Sequence, residues 1–332
     1  EQSASAMGTA NAGAAANPEN ATIVFFNPAG MSQLSGTNIS FGATYLDINA
    51  KAKTSTISAT GAIGQPIDNG NYRNGGDIAD PAVLPNFYMT HEINDSIDVG
   101  FGIHAPYGLA ADYENDFAGR FFADETELTA IAFTPSIAIN NGKGLSMGLG
   151  LNVMYAEGRL TRYQDLSGAF YRATLESTGS EQMATQAALN APEPYADVKG
   201  DDIGVTFRVG FLYELSDRTQ FGLSAQTGTE LNLKGDMEVS GLPADLGLPA
   251  TANEKVQVPL AIPESITFGA RHKLTDDITL LAGATYARWS RFEELDIVSR
   301  EGDAGQVSGI LGALNGGQIP DPINHVTEEW KN

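Results

Sequence analysis

Alternation with a period of two residues is the strongest pattern in this chain, and it constrains the fold more than any single motif. In the stretches 145–155 and 203–213, bulky apolar side chains occupy every second position, and mostly small or polar residues lie between them. Successive side chains of a strand point to opposite faces, so one face is apolar and the other carries little bulk. A soluble sandwich would instead expose Lys and Glu on its second face. An apolar outer face over a small, mildly polar inner face is typical of a lipid-facing barrel wall.

Nine stretches carry this alternation, and the connections between them alternate between short and long. The short connections are polar turns such as 94–96 and 216–218, and the long ones include 160–202 and 234–263. Up-and-down strands would place all short turns on one side of a membrane, as in bacterial outer-membrane proteins. The sequence therefore predicts an all-β fold, a transmembrane antiparallel β-barrel. Its predicted strands cover 37–49, 84–93, 97–107, 127–139, 145–155, 203–213, 219–233, 264–274 and 278–290.

The first 35 residues differ from the rest of the chain. They contain no Lys or Arg, and Ala, Gly, Ser and Asn make up most of them, so they cannot build a core alone. Their compact apolar run, 23–26, ends at Asn27, Pro28 and Ala29, where Pro removes a backbone donor and favours a turn. We interpret residues 1–35 as a hatch inside the barrel and residues 36–332 as the barrel. A disordered N-terminal tail is the alternative that composition supports.

Composition excludes several classes of function. Asp and Glu outnumber Lys and Arg by 41 to 19, so nucleic acid is not expected as a partner. The chain has no Cys, and no stretch approaches the roughly 18 apolar residues of a membrane-spanning helix. None of its four His lies in a motif with nucleophile spacing. We predict neither catalytic residues nor a metal site or cofactor, and so no enzyme. An enzyme acting on lipid or peptide at the barrel rim is the rival reading.

The strand ends and the long loops carry two further patterns. Helical periodicity appears at 181–190 and 307–314, within two of the long loops. Aromatic residues cluster near strand ends, as expected for interfacial girdles. The predicted girdle residues are Tyr45, Tyr107, Tyr155 and Trp289 toward the long loops, and Phe87, Tyr88, Tyr213 and Phe221 toward the short turns.

Several segments, taken in order, resemble the outer-membrane long-chain fatty acid transporter family (FadL/TodX-like). They are Asn27-Pro28-Ala29, ISFGATYLDI at the first strand, APYGLAADYENDFAGRF after the third, GLGLNVMYAEGRLTRYQDL at the fifth, and ATYARWSRFEEL at the ninth. The resemblance covers essentially the whole chain. It implies a fourteen-stranded barrel with an N-terminal hatch in its lumen. Because such barrels have an even strand count, we expect about five more strands beyond Asn332.

The resemblance also implies a function and a place for it. The expected protein is a monomeric channel in the Gram-negative outer membrane, surrounded by lipid and lipopolysaccharide, for passive uptake of long-chain fatty acids. It would capture ligand at an outer groove, hold it in the lumen and release it sideways. Arg162 would bind the anionic head group of a fatty acid or of a detergent, with Gly158 and Glu328 nearby. The family's partner lysine is replaced by Val326.

The resemblance also implies a lateral gate in the third strand, at His104, Pro106 and Gly108. Pro cannot donate to a strand ladder, so Pro106 predicts a break or bulge in a closed barrel. Alternatively the strand ends at Ala105 and Pro106 begins the loop. The substrate also stays open between fatty acids and aromatic hydrocarbons. An adhesin or phage receptor without transport is a further reading.

Overall fold

The structure is a computed structural model that describes residues 2–53, 74–314, 317–327 and 330–332. Part of the predicted connection 51–83, and the predicted site residue Glu328, lie outside the described residues. The strands are β1 (Thr37–Leu46), β2 (Lys51–Ala52), β3 (Gly76–Asp77), β4 (Ala82–Asn94), β5 (Ile97–His104), β6 (Gly108–Asp112), β7 (Glu125–Phe133), β8 (Ser136–Asn140), β9 (Leu145–Tyr163), β10 (Tyr195–Ser216), β11 (Thr219–Gln226), β12 (Thr229–Ser240), β13 (Thr251–Ile262), β14 (Ser265–Lys273), β15 (Thr279–Ala287), β16 (Glu294–Ser299) and β17 (Asn324–Thr327).

The barrel wall is one continuous antiparallel sheet. From one edge of the sheet to the other, the strands follow in the order β1, β4, β5 with β6, β7 with β8, β9, β10, β11, β14 and β15. Eight of the nine predicted strands lie mainly within this wall, and the predicted short turns join neighbouring wall strands on one side. The predicted strand 219–233 is instead divided between β11, in the wall, and β12, outside it. The all-β, antiparallel prediction is confirmed.

The two faces of the wall differ as predicted. Along β9, Leu145, Met147 and Leu149 are exposed on the outer face, whereas Ser146 and Asn152 are buried on the inner face. The same alternation runs along β10 and β11. Outward side chains of this kind meet lipid, and the ladder hydrogen bonds between neighbouring strands satisfy the backbone groups behind them.

Above the wall, the sheet extends further than predicted. Strands β9 and β10 continue well past their predicted ends at 155 and 203, and the predicted loop 234–263 is largely the hairpin formed by β12 and β13. The lower half of β10 pairs with β11 and its upper half pairs with β12. The hairpin also has a period of two, because its inward side chains are apolar and its outward ones are polar. A tall extension therefore stands on the long-loop side of the barrel.

The helices are α1 (Ala4–Met7), α2 (Ile23–Phe26), α3 (Ser167–Thr178), α4 (Glu181–Leu189) and α5 (Gln306–Leu314). Helices α4 and α5 match the two predicted helical stretches, and α3 was not predicted. Within the described residues, no helix is both long and apolar enough to span a membrane.

Candidate functional site

The N-terminal segment, residues 2–35, lies against the inner face of the wall. Three wall glycines make this close approach possible, because a Cβ at Gly148, Gly210 or Gly222 would overlap the backbone or side chain of the segment. The overlapping atoms belong to Ala29, Asn27 and Ala15, respectively. The small inner face seen in the sequence is therefore the surface on which this segment packs.

Asn27, Pro28 and Ala29 form a fixed corner at this contact. The Asn27 side chain is fully buried, and its Nδ2 donates to the carbonyl oxygens of Ala15 at 2.7 Å and Phe211 at 2.9 Å. Its Oδ1 accepts from the Ala29 backbone N–H at 3.1 Å, and Pro28 begins a short 3-10 helix. The turn predicted at these residues is present, and Phe211 belongs to the wall.

A buried cation also joins the wall to the segment. The Arg208 guanidinium on β10 donates to the Phe25 carbonyl oxygen and to Gln226. It also lies over the Phe25 ring, 4.8 Å from the ring centroid. An inward-facing arginine thus has hydrogen-bond partners that offset the cost of its burial.

The predicted third strand, 97–107, is interrupted beside this contact. It ends at His104 and resumes at Gly108, so Ala105, Pro106 and Tyr107 separate β5 from β6. The structure differs here from the alternative in which the strand simply ends at Ala105. His104 is buried, with its ring 4.9 Å from that of Phe25 and 5.8 Å from that of Tyr88. Tyr88 is thus a lumen residue rather than the girdle residue predicted from the sequence.

The interruption opens the ladder on one side only. Strand β6 keeps its pairing with β7, from Gly108 opposite Thr129 onward. The ladder between β4 and β5 instead stops at Phe87 opposite Ile103, and residues 82–86 of β4 pair with β1 alone. Pro85 lies in this part of β4, which pairs with β1 but not with β5. Each border of the resulting gap thus carries a proline, which cannot donate a ladder hydrogen bond.

The first residues of the N-terminal segment reach this gap. The Gln2 side chain donates to the carbonyl oxygen of Ala105, which the broken ladder leaves available. The segment therefore contacts both the middle of the wall and the interruption in the third strand.

A cluster of buried, closely packed apolar side chains, called the chamber here, fills the tall extension above the N-terminal segment. Its walls are inward side chains of β9, β10, β12 and β13, and α5 and β16 cover it. The buried members are Ala130, Ala156, Ala196, Val198, Leu231, Leu233, Met237, Val239, Leu242, Ala252, Val256, Val258, Leu260, Ile262, Ile297, Val307 and Ile323.

Two polar side chains interrupt the wall of this chamber. Arg162 lies on the inward face of β9 directly opposite Ala196, a buried chamber residue. Its Nε is buried without a hydrogen-bond partner, and so is Nε2 of Gln164, two residues further along the chain. A buried donor without an acceptor costs roughly 1–3 kcal/mol, so a ligand oxygen here would be stabilised. Gln164 was not singled out in the sequence.

Gly158 and Glu328 are the two residues predicted to lie near Arg162, and only Gly158 is among the described residues. Gly158 shares the inward face of β9, and a Cβ at this position would lie 2.8 Å from Leu233 Cδ1. Gly158 therefore leaves room for a chamber side chain. Glu328 lies outside the described residues, so its position relative to Arg162 stays a prediction.

Gln164 also lines a narrow, closely packed apolar cleft beneath α5. Val239 and Leu242 form one side of this cleft, and Leu311 of α5 forms part of the other. The buried carboxylate of Glu254 holds the N-terminus of α5, because it accepts from the Ser308 backbone N–H at 2.7 Å and from Ser308 Oγ at 2.6 Å. A carboxylate at a helix N-terminus is favourable.

The rim on the long-loop side, next to β15, carries an exposed ion-pair group. Glu264 accepts from Arg291 at 2.9 Å and from Arg288 at 3.2 Å. The hydrogen bond from Arg291 is the main cause that lowers the pKa of Glu264 to about 2. Glu264 therefore stays ionised at neutral pH, and the rim cations are partly neutralised.

Comparison with known proteins shows the family. Residues 1–312 match the model of the outer membrane protein transport protein family (OMPP1/FadL/TodX). The chain belongs to this family. It is 31% identical over 310 residues to the 47 kDa outer membrane protein of Pasteurella multocida, which covers 91% of this chain and 67% of that protein. Members carry names of outer-membrane proteins, and this family member is an outer-membrane β-barrel.

One further relative agrees on the family, and two solved structures agree on the fold. The long-chain fatty acid transport protein of Escherichia coli O6:H1 is 27% identical over 315 residues, which cover 92% of this chain and 68% of that protein. The crystal structure of a Pseudomonas aeruginosa FadL homologue superposes with a TM-score of 0.77 at 22% identity, covering 96% of this chain and 71% of that one. The Ralstonia pickettii toluene transporter TbuX has a TM-score of 0.60 at 18% identity, covering 87% and 73%. The chain thus spans about two thirds of the length of its curated relatives.

Proposed function

We propose that this family member takes up long-chain fatty acids or similar hydrophobic molecules passively across the outer membrane. The observation that carries the proposal is the pair of unpartnered donors on Arg162 and Gln164 in the wall of an apolar chamber. A long-chain fatty acid has the matching chemistry, because its chain is apolar and its carboxylate accepts hydrogen bonds from a guanidinium. The chemistry of the chamber supports this ligand over a hydrocarbon without a head group.

The proposed route has three parts. Ligand is captured among the long loops around α3, α4 and α5, and then bound in the chamber with its carboxylate at Arg162. Residues 2–35 act as the hatch that blocks a straight path to the periplasm. The gap between β4 and β6, at His104, Pro106 and Gly108, is the exit through which ligand leaves sideways into the lipid. The apolar ligand is favoured there, because it never enters water.

Equilibrium binding tests the head-group assignment. Arg162→Ala removes the charged donor, so we expect oleate to bind the purified protein roughly 10- to 100-fold more weakly, as for the loss of one charged hydrogen bond. Arg300→Ala is the matched control, because Arg300 is an exposed arginine on the same side of the protein. Its oleate affinity should equal that of the wild type. Equal oleate affinity for Arg162→Ala and wild type would remove the assignment.

Wild type and Arg162→Ala also test the second candidate function, which is uptake of aromatic hydrocarbons. Toluene has no acceptor for a guanidinium, so its binding should not fall when Arg162 is replaced. A protein that binds toluene tightly and oleate weakly in both variants would favour the aromatic channel. A protein that binds neither would favour an adhesin or a phage receptor.

A further inference from the structure

A group of three metal-binding side chains lies on the hairpin of β16 and β17, away from the chamber. It consists of Glu294, Asp296 and His325, each of which offers one ligand atom, and these atoms lie within 4.8 Å of one another. Asp296 and His325 are direct cross-strand partners, and Glu294 is two residues from Asp296 on the same face. Antiparallel pairing therefore fixes the three backbone positions.

We propose that Glu294, Asp296 and His325 form a zinc site. Imidazole nitrogen and carboxylate oxygen are both ligand types that Zn²⁺ binds, and water can occupy the fourth position. Metal–ligand bonds of about 2.1 Å place neighbouring ligand atoms roughly 3.4 Å apart, which small side-chain adjustments from the present spacing would reach. Calcium prefers six or more oxygen ligands, so an imidazole in the set favours zinc over calcium.

The hydrogen bonds of His325 support this assignment. Its Nδ1 lies 2.6 Å from Asp296 Oδ1, and its Nε2 lies 3.2 Å from Thr327 Oγ1. The Nδ1–Oδ1 contact already brings two of the three ligand atoms together. On binding, zinc would take the place of the proton between these two atoms, and Thr327 Oγ1 would orient the ring through Nε2–H. Two carboxylates beside one imidazole also make the group negative, and a divalent cation would offset this charge.

The position of the site indicates what zinc would do. Strands β16 and β17 are the two ends of the segment that carries α5, the helix over the apolar cleft. A metal ion bound between the two strands would hold these ends together. Bound zinc is therefore expected to stabilise the base of the α5 segment.

Isothermal titration of ZnCl₂ into tag-free, EDTA-treated protein in detergent tests the site. We expect one zinc ion per chain with a micromolar or tighter Kd, and at least tenfold weaker binding by His325→Asn. CaCl₂ should bind more weakly than ZnCl₂. The control is His272→Asn, because His272 forms a similar cross-strand pair with Thr219, at 2.8 Å, but without carboxylates. This control should bind zinc like the wild type.

Three outcomes would overturn the proposal: no stoichiometric zinc binding by the wild type, equal binding by wild type and His325→Asn, or calcium binding as tight as zinc binding. Glu294→Gln is a second variant that keeps the shape of the side chain, and it should also weaken zinc binding. Heat-modifiable mobility in gels checks that each variant is folded. Zinc should raise the Tm of the wild type but not of His325→Asn, which a purely structural histidine would not produce.

Discussion

Single glycines on the barrel wall determine how closely the N-terminal segment can approach. Gly210 is the clearest case, because its missing side chain leaves room for the buried amide of Asn27. That amide spans two parts of the molecule, since Nδ2 donates both to Ala15 of the segment and to Phe211 of the wall. A net contribution of about 1 kcal/mol for each such bond is typical.

Gly210→Ala should weaken the docking of the N-terminal segment by roughly 2 kcal/mol, because the added methyl group overlaps Asn27 Oδ1. If the segment blocks the lumen, single-channel conductance in planar bilayers should rise. Gly309→Ala is the matched control, because a Cβ there meets open space on α5. Unchanged conductance in Gly210→Ala would indicate that the segment does not close the pore.

At the same scale, Arg162 shows the limit of reading a site from residue types alone. An arginine near the end of a strand is usually a solvent-exposed rim residue, and only the family resemblance singled it out. Gln164 carried no signal at all, because one glutamine at a strand end belongs to no pattern. Both residues stand out only when the surrounding apolar chamber is known.

Among the elements, the interrupted strand formed by β5 and β6 has the most direct bearing on the proposed exit. Its break follows from two prolines, Pro106 on one border and Pro85 on the other, at the point where the ladder between β4 and β5 ends. Pro106 predicted a break from the sequence. Pro85 was not noticed, because its neighbours alternate as in an ordinary strand.

A disulfide across the gap tests this exit. In Pro85→Cys/Ala105→Cys, the cysteines lie two positions beyond the last pair, Phe87 and Ile103, in the same register, so oxidation should draw the borders together. We expect cells with the oxidised protein to take up labelled oleate several-fold more slowly than cells with the reduced protein, while oleate binding is kept. Phe87→Cys/Ile103→Cys is the control, because this pair lies below the gap. Undiminished uptake after complete oxidation of the first variant would argue for a route past the N-terminal segment.

The wall strands could be predicted from the sequence because lipid demands an apolar outer face, and this demand leaves a clear period of two. The hairpin of β12 and β13 could not, because its outward side chains, such as Lys234, Asp236 and Glu238, face water. Without the lipid constraint this segment has the composition of a polar loop. Helix α3 was also missed, and it has no side-chain N-cap, whereas Ser180 caps the predicted helix α4.

At the scale of the whole molecule, charge and architecture restrict how a fatty acid can be captured. The net charge of −22 repels a carboxylate at long range, so electrostatic steering cannot supply the affinity. Apolar surface among the long loops and the donors within the chamber have to supply it instead. The short turns define the opposite, periplasmic side of the barrel.

The most direct test of this account is the uptake of radiolabelled oleate by cells that lack their own long-chain fatty acid channel. With the protein present in the outer membrane, uptake should rise several-fold above that of cells carrying the empty vector. Replacing Arg162 with Ala should reduce this uptake at low oleate concentration, because the head-group site is lost. Uptake that stays at the empty-vector level, with the protein folded and present in the outer membrane, would contradict the proposed function.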